Sequence, residues 1–125
     1  MGANGSEGDA PIIVLDELHL KPGRLEAFLE AFESRYRPGA EARGQKLLHT
    51  WVTPPTQTSG VGPSVLLVWE LAGVPGFWQM RSQNATPEVL TWWADCEAFI
   101  ESRTRRFAVG ADVLAEFEAL GRLNA

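Results

Sequence analysis

Apolar residues alternate from Ile12 to Leu20, with Ile12, Val14, Leu18 and Leu20 on one side and Ile13 and Leu15 on the other. A period of two predicts a strand, and apolar residues on both sides predict that both of its faces are covered. The period changes at a Lys-Pro-Gly corner. Pro22 has its φ fixed near the helical value and lacks only a donor that a first helical turn leaves unused, so a helix is predicted there or within two residues. Leu25, Phe28, Leu29, Phe32 and Tyr36 recur at helical spacing on one face, and Arg24, Glu26, Glu30, Glu33 and Arg37 fill the rest. Pro38-Gly39 is expected to weaken or end this helix, residues 40–44 to add a further turn, and Gly44 to stop it by taking a positive φ.

Residues 46–53 alternate Leu47, His49 and Trp51 with Leu48, Thr50 and Val52, which predicts a second strand ended by Pro54-Pro55. Residues 54–63 predict a mobile loop to an antiparallel partner, residues 64–71, with Val65, Leu67, Trp69 and Leu71 on one face and Leu66, Val68 and Glu70 on the other. A turn at 73–76 and a short helical piece at 77–83 come next. Thr86 can cap a second helix with Pro87 in its first position, and the stripe Val89, Trp92, Trp93, Cys96, Phe99 and Ile100 carries that helix to about Arg103. Residues 105–109 form the remaining strand, and Asp112 can cap a final short helix facing in through Val113, Leu114, Phe117 and Leu120. This order predicts an α+β, ferredoxin-like βαββαβ domain over residues 12–125, with helices on one face of a four-stranded antiparallel sheet. Helices on one face leave the other apolar face bare, and a second copy packing sheet on sheet would cover it, so a homodimer is expected.

A chain of 125 residues can hold one core without metal or disulfide staples. A net charge of −5 argues against a surface that tracks phosphates, and so against nucleic acid as a partner; the basic cluster Arg103, Arg105 and Arg106 reads as a helix end. Cys96 is the only cysteine, which excludes an internal disulfide and fits the cytoplasm. Residues 1–11 have neither the basic start nor the apolar core of a signal peptide and read as a disordered leader. No apolar run is long enough to span a bilayer.

Two residues stand out for chemistry. Asp16 is a carboxylate in the middle of an aliphatic strand, where desolvation would suit it to act as a general base unless an arginine such as Arg81 or Arg105 pairs with it. His49 sits among apolar residues of the second strand and could move a proton near neutral pH; the ordinary alternative is a hydrogen-bonded core histidine. Trp51, Trp69, Trp92 and Trp93 fall on elements that should face one another, with Tyr36 and Phe28 beside them. They make either an aromatic core or a cavity that stacks a flat ligand. The histidines lie on separate strands without a carboxylate set, so no metal site is recognisable, and no glycine-rich phosphate loop follows a strand.

The element order, the L-K-P-G corner at residues 20–23, Trp51 near the end of the second strand and the Trp69-Glu70 pair resemble the NIPSNAP-like branch of the dimeric α/β-barrel superfamily, over roughly residues 12–109. The paired Trp92-Trp93 depart from the commoner pattern of that branch. The resemblance implies two sheets closing into a dimeric barrel, and a pocket between sheet and helices in each subunit. Relatives include cofactor-free monooxygenases, cyclases, isomerases, heme-dependent enzymes and stress-response proteins. The expected function is a cofactor-independent enzyme that acts on a hydrophobic aromatic or polycyclic molecule by proton abstraction leading to monooxygenation, isomerisation or cyclisation. Asp16 and His49 would be catalytic, and Phe28, Tyr36, Trp51, Trp69, Trp92 and Trp93 would hold the substrate. The alternatives are a non-catalytic binding or stress-related protein and a structural dimer with a filled core.

Overall fold

The computed structural model describes residues 10–117; most of the expected leader, and Leu120 of the expected last helix, lie outside the described residues. The sheet has four antiparallel strands in the order β2-β3-β1-β4. They are β1 (Ile12–Leu20), β2 (Lys46–Thr53), β3 (Ser64–Leu71) and β4 (Ile100–Ala108). β1 and β3, the strands apolar on both sides, take the two central places, where each is paired along both edges. On one face Val14, Leu18, Leu20, Val65, Leu67, Trp69 and Leu71 are buried beneath α1 (Leu25–Ala31), α2 (Arg37–Ala42), α3 (Gly73–Gln83) and α4 (Pro87–Asp95). On the other lie Ile13, Leu15, Glu17, Leu66 and Glu70, partly exposed and with no helix over them. The fold is the expected α+β, ferredoxin-like arrangement, and among the described residues no helix is long and apolar enough to cross a membrane.

Several local expectations change. The first helix does not end at Pro38; a widened turn, Phe32–Tyr36, joins α1 to α2, and the Arg37 N–H reaches back five residues to the Phe32 carbonyl. The wider turn accommodates a proline that has no N–H and whose ring would crowd the carbonyl four residues back. Gly44 does stop the helix, with φ +93°. Residues 73–76 are not a separate turn but the start of α3. The second long helix ends at Asp95, a tight turn covers Cys96–Ala98, and β4 begins at Ile100, five residues before the expected strand. β4 reads Ile-Glu-Ser-Arg-Thr-Arg-Arg-Phe-Ala, and its partner on one side is missing, so little of it is buried and no apolar alternation marks it. Arg103, Arg105 and Arg106 therefore lie on an edge strand, not at a helix end. The last described segment, Ala111–Phe117, is a run of tight 3₁₀ turns with Leu114 exposed instead of facing in.

The pairing of β2 changes the most for function. Leu47 lies opposite Trp69, but the register then shifts so that His49 faces Val68, Trp51 faces Leu66 and Val52 faces Val65. A bulge reverses the side on which later side chains fall. Leu47 and Val52 pack towards the helices, while His49 and Trp51 point to the open face.

Candidate functional site

Asp16 is buried on the helix side of β1, directly across from Arg105 of β4 and Leu67 of β3. Arg105 grips it side-on: Nε donates to Oδ1 at 2.6 Å and Nη2 to Oδ2 at 2.8 Å, while Trp69 Nε1 donates to Oδ2 at 3.0 Å. A bidentate guanidinium and an indole donor offset the cost of burying the carboxylate. Burial pulls the basicity of Arg105 down, but the hydrogen bond and charge of Asp16 outweigh it and leave the guanidinium firmly protonated. The Tyr36 hydroxyl stands near enough to add to this effect, yet it makes no hydrogen bond of good geometry. Arg81, the other partner considered for Asp16, instead extends over the Phe77 ring at the surface.

Around this pair the helix-side aromatics form one cluster. Tyr36 stacks on Trp92 at 5.4 Å, meets Trp69 edge-on at 6.1 Å and touches Trp93 at 5.4 Å; Phe28 lies 6.3 Å from Trp92. Phe28, Tyr36, Trp69, Trp92 and Trp93 are thus brought together, next to Asp16. Two atoms within the cluster are buried without a hydrogen-bond partner, the Tyr36 hydroxyl and Trp92 Nε1. A shallow cleft of about 430 Å³, lined by Arg35, Pro87, Glu88, Thr91 and Trp92, lies on the surface with Trp92 as the cluster's contribution to its wall. Arg35 lies over the Trp92 ring at 5.3 Å and is held there by Asp95 at 2.7 Å. Cys96 is buried nearby, and desolvation pushes its thiol up to about 12, so it behaves as a packed apolar group.

His49 and Trp51 do not join this site. They stack on each other at 4.6 Å on the open face of the sheet, with Trp51 54% exposed. The bulge in β2 is the cause, so Asp16 and His49 lie on opposite faces of one sheet and cannot act on one substrate within a protomer. His19, also on the open face, hydrogen-bonds Ser64 at 2.7 Å and lies 3.5 Å from Glu17. Among the described residues no three His, Cys, Asp or Glu side chains come together as a metal set.

Sequence reasoning passed over Arg43 and Gln45. Arg43 lies over the far side of the Tyr36 ring at 5.4 Å, with Nε and Nη2 buried and unpartnered. Gln45 is fully buried, and neither end of its carboxamide has a partner. Polar residues on either side of a helix-stopping glycine read as loop, and no local pattern shows that they fold inward.

No protein-family model matches the chain, and no curated protein does. Solved structures do. A NIPSNAP family protein of unknown function from Agrobacterium tumefaciens superposes with a TM-score of 0.64 at 14% identity, over 82% of this chain and 90% of its own. An uncharacterized NIPSNAP domain protein from Burkholderia xenovorans gives 0.61 at 18% identity, over 80% and 94%. A candidate antibiotic biosynthesis monooxygenase from Nitrosomonas europaea gives 0.56 at 14% identity, over 82% and 92%. At these identities the likeness is one of fold, and the chain has the NIPSNAP-like form of the ferredoxin-like α+β fold.

Proposed function

We propose that the protein is a cofactor-independent enzyme acting on a hydrophobic aromatic or polycyclic small molecule, and that it works as a homodimer. The observation that carries this reading is the Tyr36 hydroxyl, buried and without an acceptor in an aromatic cluster, beside a charged Arg105 and behind a cleft walled by Trp92. A flat ligand entering that cleft would displace or stack on Trp92 and bring a carbonyl or phenolic oxygen to Tyr36 and Arg105. These donors favour the oxyanion that forms when a proton leaves the ligand. Asp16 orients Arg105 and is the carboxylate at hand for the proton. Such an anion is the intermediate that monooxygenation, isomerisation and cyclisation have in common. The fold match to a candidate monooxygenase agrees with this class of chemistry without selecting a member of it. The homodimer reading rests on the open sheet face, whose apolar residues Ile13, Leu15 and Leu66 stay partly exposed in one chain.

A second reading, binding without turnover, is favoured by the saturation of Asp16: both of its oxygens already accept hydrogen bonds. Tyr36→Phe separates the two. It removes a hydroxyl that makes no hydrogen bond of good geometry, so the fold should hold. Turnover of phenolic and quinol polycycles should fall at least tenfold. Binding of those compounds with no product in the wild type would establish the second reading.

A further inference from the structure

Arg43 and Arg105 are both placed against Tyr36, but only one has its guanidinium engaged. Arg105 uses the edge formed by Nε and Nη2 to hold the Asp16 carboxylate. Arg43 presents the same edge, buried and empty. Among the described residues no carboxylate reaches it, whereas Arg35, Arg37 and Arg106 each have one. Its ring partner is Tyr36, and its Nη1 side lies close above Gly39, where a side-chain carbon would stand 3.1 Å away, so the guanidinium is laid flat along its own helix. Two parallel donors shielded from water are costly to leave unmade, and a planar carboxylate matches their spacing.

Two neighbours have the same deficit. Gln45, two residues on, is fully buried with both amide atoms unpartnered, and it lines a small cavity of about 290 Å³ with Glu41, Gly44 and Lys46. The Tyr36 hydroxyl is the other.

We infer that Arg43 is a carboxylate-binding residue and that the natural ligand is an aromatic carboxylic acid, its ring against the Tyr36 cluster and its carboxylate on the Nε and Nη2 edge of Arg43. The inference rests on the reading that a small molecule lodges against Tyr36. It adds a charge requirement that the hydrophobic cluster alone does not impose. Specificity follows from the geometry: a neutral amide of the same shape leaves one donor of the edge facing an N–H group.

The test compares 2-naphthoate with 2-naphthamide by calorimetry on the full-length protein, in wild type, Arg43→Gln and Arg43→Lys. Wild type should prefer the acid by about tenfold or more. Arg43→Gln should erase that preference by weakening the acid far more than the amide, and Arg43→Lys, which keeps the charge but not the paired donors, should restore only part of it. Circular dichroism of each variant checks that the fold is retained. Equal binding of acid and amide to wild type would overturn the carboxylate inference and leave the aromatic-pocket reading standing. Failure of both probes to bind would overturn the two together. Inorganic phosphate displacing 2-naphthoate at comparable concentration would show a general anion site and also overturn the inference.

Discussion

Asp16 is a buried carboxylate whose neighbours satisfy both of its oxygens. Its carboxylate is held by three donors, two from Arg105 and one from Trp69. Asp16→Ala should leave the Arg105 guanidinium buried without a counter-charge and destabilise the protein by about 3–5 kcal/mol. Urea denaturation would measure this as a lower midpoint at unchanged slope. Replacing the pair together, Asp16→Leu with Arg105→Met, should recover most of the loss, because the cost lies in the stranded charge more than in the missing contact. Tyr36 and Arg43 differ in kind: their polar atoms are buried without internal partners, a cost to the fold that a bound ligand would repay. The unusual acid in β1 could be read from the sequence alone. Its partner could only be narrowed to two arginines, because choosing Arg105 over Arg81 depends on the β1–β4 register.

The elements differ in how openly the sequence declares them. β1, β3 and α1 are marked by regular apolar spacing, and they form where that spacing puts them. β4 is marked by nothing of the kind, since it is held by backbone pairing to β1 while most of its side chains face water. The bulge in β2 is equally silent, because both alternate sets of residues there are bulky. The loop from β2 to β3 is tied down at its far end, where the Leu20 N–H donates to the Pro63 carbonyl at 2.8 Å. Gly62 makes that approach possible, as any side chain there would run into the Leu20 carbonyl oxygen. Gly62→Ala should therefore force the loop off the end of β1 and cost about 1–3 kcal/mol, read as a lower thermal midpoint, whereas Gly60→Ala in the same loop meets no atom and should cost only the backbone strain of φ +80°, about 1 kcal/mol.

For the whole molecule, the unequal faces of the sheet are the leading feature. One is sealed by helices, and the other presents Ile13, Leu15 and Leu66 flanked by Glu17, Glu70, His19, His49, Trp51 and Arg106. A homodimer packed through this face predicts that Leu66→Asp, at the centre of the patch, yields a folded monomer by sedimentation velocity while the wild type sediments as a dimer. A monomeric wild type would show that the open face is stable in water and would remove the barrel from the proposal. Because His49 and Trp51 lie on this face, their contribution would be to the contact between copies, and Trp51 fluorescence should shift to the blue as protein concentration rises through the dimer range.

The sequence by itself determined the order of the elements, the α+β class, the two-sided apolar pattern of β1 and β3 and the anomaly of a carboxylate at position 16. These depend on the spacing of side chains along a helix or strand, which is local geometry. The tertiary structure alone decided the partner of Asp16, the separation of Asp16 from His49, the true extent of β4 and the inward placing of Arg43 and Gln45. Each of these depends on strand register or on which surfaces meet, and a one-residue bulge or an edge strand changes the outcome without leaving a periodic trace in the chain.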